Sequence, residues 1–423
     1  MKKSVSASLN GLSESATLAI NRRSAELVRQ GREILRYGLG QSPFPVPDVV
    51  VDELKARAFE KDYLPVDGLY ELRKGVAQYF HQQWQIESSA ESIMIAPGSK
   101  ELIFILQLVY SGDILIPTPA WVSYAPQAQI VGRHVSFLET KEENRFLLQA
   151  SELEQCCRAE PGMPRLLILN YPSNPTGQTY SSEELRALAE VAEKYEIIVL
   201  ADEIYGETNF LGNHDTLARY YPGGTIVSSG LSKWCGAGGW RLGAFHFPEG
   251  LLWLRKAMCV VASETYTSAS APIQWAAIKA FERGDEMTDY LASSRRILRL
   301  LSQYICDQFA SSEIRFFEPQ GAFYIFPSFE NYRERLSKKG IHGSKDLMER
   351  LLMETGIAAL PGVVFGRAAE ELTARFSFVP FDGKLAQEQL AGCSSDEEAL
   401  SKLLKSCPNI TKFPELLLDW LEH

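Results

Sequence analysis

The sequence predicts an α/β fold: a mostly parallel sheet covered by helices on both faces, with a second, smaller α+β part. Short β-rich apolar runs recur between residues 92 and 247, separated by amphipathic segments of helix length. Polar residues stand directly after several runs, at the carboxyl ends of the expected strands, where ligands of such sheets bind. Beyond about Ser293 the alternation gives way to a long charged helical stretch and mixed short runs.

Taken in order, the chain first shows Pro43, Pro45 and Pro47, which mark a crossing between the two parts. The strand-like runs are SIMIA (Ser92–Ala96), DILIP (Asp113–Pro117), RLLILN (Arg165–Asn170), EIIVLADE (Glu196–Glu203), TIVSSG (Thr225–Gly230) and RLGAFHF (Arg241–Phe247). Helical spacing is read over Lys100–Tyr110 and over Ser182–Tyr195, where Ser181 or Ser182 caps and Glu183 and Glu184 fill the first turn. The second part is expected to hold a helix over Ser293–Phe309, a strand-like Glu313–Pro327, a helix over Lys345–Thr355, and then GIAALPG and ARFSFVP. Residues 391–423 read as a helical surface segment without chemistry. The expected division is a large domain at 44–300 and a small one from 1–43 with 301–423.

Bulk properties narrow the function. A chain of 423 residues is too long for one small core. A net charge of −10 without a long basic run argues against nucleic acid as a partner. No stretch approaches the ~20 apolar residues of a membrane span, and MKKSVSASLNGLSES lacks the apolar core of a signal peptide. The seven cysteines are odd in number and scattered, apart from the adjacent Cys156 and Cys157. They fit reduced thiols, have no metal-type spacing with histidine, and suit a cytoplasmic protein. Cys235, two residues after Lys233, reads as a small loop residue.

The most specific stretch is GLSKWCGAGGWRLG, Gly230–Gly243. Lys233 can form an imine with an aldehyde, while Ser232, loop N–H groups and Arg241 can hold a phosphate. An aldehyde and a phosphate on one small molecule describe pyridoxal 5'-phosphate. Four further segments suit the same molecule. In YPSNPTG, Asn174 is held on a tight turn after a strand, and Asn174–Pro175 is a candidate cis bond. In ADEIYGE, Asp202 can keep a pyridine nitrogen protonated and Tyr205 can reach the ring oxygen, although Asp202 could equally cap the following turn. In TPAWVSY, Trp121 offers a stacking face, and in IAPGSKEL, Gly98, Ser99 and Lys100 form a helix N-terminus suited to an anion. Arg375 in ARFSF needs a partner if buried, either a substrate carboxylate or an internal ion pair.

From about Leu39 to Pro380 these motifs resemble the class I/II aminotransferases, fold-type I pyridoxal phosphate enzymes, and are similar to those of the aspartate and aromatic aminotransferases. The resemblance implies a large domain with a seven-stranded sheet and a smaller α+β domain. It implies that Lys233 is the imine lysine, Asp202 the partner of the pyridine nitrogen, Tyr205 and Asn174 donors to the ring oxygen, and Trp121 the stacking ring. Gly98, Ser99, Lys100, Ser232 and Arg241 belong to its cofactor site. Arg375 matches the α-carboxylate clamp, with Gly40 and Asn174 on the substrate side. Tyr63 matches a tyrosine that reaches the neighbouring subunit's phosphate, which implies a homodimer with shared sites. Two positions depart from the common pattern: Gly230 where serine is frequent, and Ala120 before Trp121 where tyrosine is frequent.

The implied reaction is ping-pong transfer of an amino group from an L-amino acid to a 2-oxo acid such as 2-oxoglutarate, with Lys233 as general base. The donor stays open at this level. Lys100 matches a lysine that meets a distal carboxylate in one aspartate-using subgroup, while Tyr37, Phe44 and Ala120, expected near the pocket, favour an aromatic or neutral donor. A β-lyase on the same residues and a non-enzymatic ligand-sensing regulator are the alternative functions.

Overall fold

The computed structural model describes residues 5–423. Met1–Ser4, and with them the start of the expected N-terminal domain segment, lie outside the described residues. A seven-stranded sheet runs in the order Ile93–Ala96, Gly243–His246, Thr225–Gly230, Ile198–Asp202, Arg165–Asn170, Asp113–Thr118, Val135–Glu139. All neighbours pair in parallel except at Gly243–His246, which is antiparallel to both of its neighbours. The central strands are buried along their whole length, as a sheet covered on both faces requires.

The two faces separate with the two-residue period of a strand. Leu166, Ile168, Leu200 and Ile226 share one core with the helix Ser99–Val109. Leu167, Leu169, Val199 and Ala201 share the opposite core with the helix Ser182–Lys194. That second helix starts on a capping box: Glu184 N–H donates to Ser181 Oγ at 3.2 Å, and Ser181 N–H donates to Glu184 Oε2 at 2.7 Å.

Val135–Glu139 has no counterpart among the runs read from the sequence. It is an edge strand with Phe137 56% exposed, so it lacks the continuous apolar signature of its buried neighbours. The long helix begins at Asp285, not Ser293, because Asp285 and Glu286 favour a first turn and Met287 and Leu291 extend its buried stripe. Glu313–Pro327 is mostly not a strand. Its one regular strand is Tyr324–Ile325, paired with Ala374–Ser377, while Arg315 forms an isolated bridge with Ser328; the turn around Gly321, where Ala322 takes φ 57°, breaks the run between them.

The second part holds a three-stranded antiparallel sheet, Leu360–Pro361, Ala374–Ser377 and Tyr324–Ile325. Leu35–Arg36 pairs in parallel with Ile357–Ala358 across more than three hundred residues. The C-terminal tail is helical but is not a surface segment. Along Pro408–Glu422, Ile410, Phe413, Leu417 and Leu421 form a buried stripe at helical spacing. The Phe413 ring stacks on Tyr37 with centroids 4.1 Å apart. The cis peptide bonds are Thr118–Pro119 and Tyr171–Pro172, so Asn174–Pro175 is trans. Among the described residues no helix is long and apolar enough to cross a membrane, and no cluster of side chains could hold a metal ion.

Candidate active site

The carboxyl ends of the strands open into a cavity of about 470 Å³. Parallel strands of the sheet deliver side chains to it, directly or through the loops that follow them. Arg165–Asn170 ends in Asn170, whose Nδ2 donates to Asp202 O at 2.7 Å and whose Oδ1 accepts from Asn174 N–H at 2.8 Å. Asn170 thereby fastens the turn that carries Asn174 to the end of the next strand. Asp202 closes its own strand, and Thr225–Gly230 runs into the turn bearing Ser232 and Lys233.

Lys233 Nζ donates to the Gly40 carbonyl at 2.6 Å. Burial lowers its pKa to about 8; the positive charges of Arg375 and Arg241 push the same way, against Asp202. An amine in that range supplies a neutral nucleophile far more readily than an ordinary lysine.

Asp202 is buried, and burial holds its carboxyl above the usual range while a hydrogen bond from Tyr124 opposes this. Tyr124 Oη donates to Oδ2 at 2.5 Å, but Oδ1 is buried with no hydrogen-bond partner. A buried acceptor of this kind is expected to have a partner. A protonated ring nitrogen would be such a partner.

The anion end of the cavity is built from backbone. Gly98, at φ 95°, precedes the helix Ser99–Val109, and a Cβ there would overlap the Arg241 guanidinium. Arg241 itself has φ 57° and donates from Nη1 to Gly238 O at 2.8 Å. Ser99, Ser232, Gly238, Gly239 and Arg241 all line this end, so helix N–H groups, two hydroxyls and a guanidinium converge on it. Gly230 explains itself here: a Cβ would lie 2.7 Å from the Leu242 carbonyl, which leaves no room for serine.

Trp121 forms a wall, edge-on to Tyr124 at 5.2 Å between centroids, and Lys100 Nζ lies 5.3 Å from the Trp121 ring centroid. Partial burial and the charge of Arg241 lower the Lys100 pKa, and among the described residues no carboxylate pairs with it. Leu18 also lines the cavity, although no sequence signal marked it.

Arg375 is buried behind Asn174 and does not line the cavity directly. Its Nη1 donates to Asn174 Oδ1 at 3.0 Å and its Nη2 to Gly38 O at 2.5 Å, while Nε has no partner. Among the described residues it has no ion pair, and its guanidinium sits 4.7 Å from the Tyr324 ring centroid. Tyr205 lines the cavity with its Oη 2.6 Å from Tyr324 Oη.

Three residues expected near the pocket lie elsewhere. Tyr37 donates to Asn409 O at 2.9 Å under the C-terminal helix. Phe44 packs edge-on between Tyr290 and Phe381. Ala120 donates its N–H to Phe365 O at 2.9 Å and lies outside the cavity lining. Tyr63 is 88% exposed, away from the cavity of its own chain. Conversely, Tyr124 and Tyr324 escaped the sequence because each sits within an apolar or aromatic stretch that reads as core.

Residues 33–380 match the family model for aminotransferase class I and II. The chain is 30% identical over 372 residues to an aspartate aminotransferase of Bacillus subtilis, covering 85% of this chain and 91% of that protein. It is 31% identical over 372 residues to an asparagine–oxo-acid transaminase of Streptococcus mutans, covering 84% and 90%. The solved structure of an aspartate aminotransferase from Thermus thermophilus with maleate shares the fold, with a TM-score of 0.83 at 24% identity over 98% of this chain and all of that one.

Proposed function

The chain belongs to the class I and II aminotransferases, and from that premise we propose how its own residues divide the work of a pyridoxal phosphate-dependent transaminase acting on amino acids and 2-oxo acids. When bound, the cofactor supplies an aldehyde that takes up the amino group and a ring that accepts electrons.

Lys233 would hold the cofactor covalently, and its neutral amine would serve as the general base for the proton on the substrate α-carbon. A pKa near 8 leaves a useful neutral fraction at neutral pH. Asp202 Oδ1 would accept from the ring N–H, with the Tyr124 hydrogen bond holding the other carboxylate oxygen. Ser99, Ser232, Arg241 and the amides after Gly98 hold the phosphate. Tyr63 of the partner subunit completes that cradle in a homodimer. Tyr63 is 88% exposed on its own chain, which leaves its ring free to reach a partner subunit. Trp121 would stack on the ring, Tyr205 and Asn174 would donate to the ring oxygen, and Arg375, with no carboxylate partner among the described residues, would receive the substrate α-carboxylate near Gly40.

We assign residues 44–300 to the cofactor-binding domain and 1–43 with 301–423 to the smaller one, a division supported by the pairing of Leu35–Arg36 with Ile357–Ala358. Seven free thiols support a cytoplasmic setting.

The donor is a short dicarboxylic amino acid of the aspartate class. The observation that carries this is Lys100, a cation at the cavity wall without a carboxylate partner. The absence of Tyr37, Phe44 and Ala120 from the lining removes the features that favoured an aromatic or neutral donor. The test is absorption spectroscopy of the purified protein titrated with single amino acids. Conversion of the cofactor band by aspartate but not by phenylalanine, reversed by 2-oxoglutarate, is the expected result. Conversion by phenylalanine at equal or lower concentration refutes the donor assignment. Pyruvate and ammonia release without an acceptor identifies a lyase instead.

A further inference from the structure

We propose that Tyr324 is a positioning residue for Tyr205: its hydroxyl donates to Tyr205 Oη and so turns the Tyr205 proton into the cavity. This rests on the reading above that Tyr205 faces the cofactor's ring oxygen.

Two phenols joined at 2.6 Å share one hydrogen bond, so one of their two hydroxyl protons is left over. Among the described residues neither hydroxyl has another hydrogen-bond partner. Tyr324 is fully buried, and its oxygen presses on Gly40 so closely that a Cβ there would overlap it. A proton stranded on that side would have no acceptor, at the full desolvation cost of a buried donor. Tyr205 lines the cavity, where a ligand oxygen can accept. The arrangement that strands nothing has Tyr324 donating inward and Tyr205 donating to the ligand. Hydrogen bonds in series strengthen each other, so Tyr324 makes Tyr205 a better donor.

The surroundings hold this arrangement in place. The Arg375 guanidinium lies 4.7 Å from the Tyr324 ring centroid, and Lys233 Nζ lies 5.4 Å from the Tyr205 ring centroid. Asp202 is the other charged group near Tyr205. A second tie links the same segments. Thr208 Oγ1 donates to Tyr205 O at 2.7 Å and accepts from Ala322 N–H at 3.2 Å. Ala322 adopts φ 57°, a conformation rare for a residue with a side chain, at the turn that delivers Tyr324.

The test uses the cofactor-loaded enzyme without substrate and reads the pH midpoint of the bound cofactor's absorption change. A donor on the ring oxygen favours the more negative form, so losing it raises the midpoint. Tyr205→Phe is expected to raise it by about one unit. Tyr324→Phe is expected to raise it by roughly a third of that. The double variant should match Tyr205→Phe alone, because Tyr324 acts only through Tyr205. A midpoint unmoved by Tyr324→Phe while Tyr205→Phe shifts it overturns the proposal, as do additive shifts in the double variant. If Tyr205→Phe itself moves nothing, the reading of Tyr205 opposite the ring oxygen has failed, and this inference fails with it. Should Tyr324→Phe not fold, Thr208→Val cuts the second tie and is expected to shift the midpoint the same way; no shift there counts against the proposal.

Discussion

Replacing Asp202 by asparagine should move activity and cofactor-free stability in opposite directions. Asparagine keeps the size of the side chain and an oxygen for Tyr124, which now donates at 2.5 Å to Oδ2. What disappears is the negative charge at Oδ1, the atom without a partner. Breaking a buried charge pair by neutralising one member costs about 3–5 kcal/mol. Applied to the transition state, that corresponds to a loss in kcat/KM of roughly two to four powers of ten. Without cofactor the same charge is a burden. Burial raises the Asp202 pKa, so the folded protein holds a proton that the unfolded chain releases. The burden is therefore largest above the folded-state pKa and vanishes below the unfolded value of about 4. Cofactor-free Asp202→Asn should melt above the wild type at pH 8, and the two curves should converge in acid. Steady-state kinetics with aspartate and paired melting curves at several pH values give both readings. Activity within a few-fold of wild type, or a cofactor-free variant that melts lower at pH 8, would refute the assignment of Oδ1 to the ring nitrogen.

Three further outcomes are expected. The rate at which cofactor-free protein captures pyridoxal phosphate should rise with pH and level off above about 8, following the neutral fraction of Lys233; a rate still climbing steeply past pH 10 would mean an ordinary lysine. Lys100→Gln should raise KM for aspartate about 10- to 100-fold, the usual worth of a charge-assisted hydrogen bond, and leave alanine kinetics within a few-fold. Phe413→Ala should destabilise the protein by about 3–5 kcal/mol in chemical denaturation, because its buried ring stacks on Tyr37 and meets Phe376 at 5.0 Å between centroids; a cost under 1 kcal/mol would return the tail to the surface.

The legible parts of the fold were those whose signal is local. Leu166–Leu169 and Val199–Ala201 are apolar without interruption because both faces are covered, and such runs stand out in any window. Val135–Glu139 was not legible because its edge position leaves it half polar. The tail misled for a different reason. Its stripe at 410, 413, 417 and 421 was present, but what it covers, Tyr37 and Phe309, is distant in sequence. The site divides the same way. Residues at strand ends, such as Asp202, Asn174 and Lys233, could be placed from the strands alone. Tyr124 and Tyr324 could not, because a tyrosine inside VSYA or AFYIF carries no mark of where its hydroxyl points.

The pairing of Leu35–Arg36 with Ile357–Ala358 bears on the order in which the molecule is made. All seven strands of the large sheet have been synthesised by His246, and the sheet can pair then. Gly40, which receives the Lys233 amine, lies five residues after Leu35 and is anchored by a strand more than a hundred residues further on. Tyr37 waits longer still, for Asn409. A ribosome-bound chain therefore carries Lys233, Asp202 and the anion-binding amides before it has the wall that closes over them. The wall that faces the lysine is thus tied to segments made after it, at Ile357–Ala358 and at Asn409.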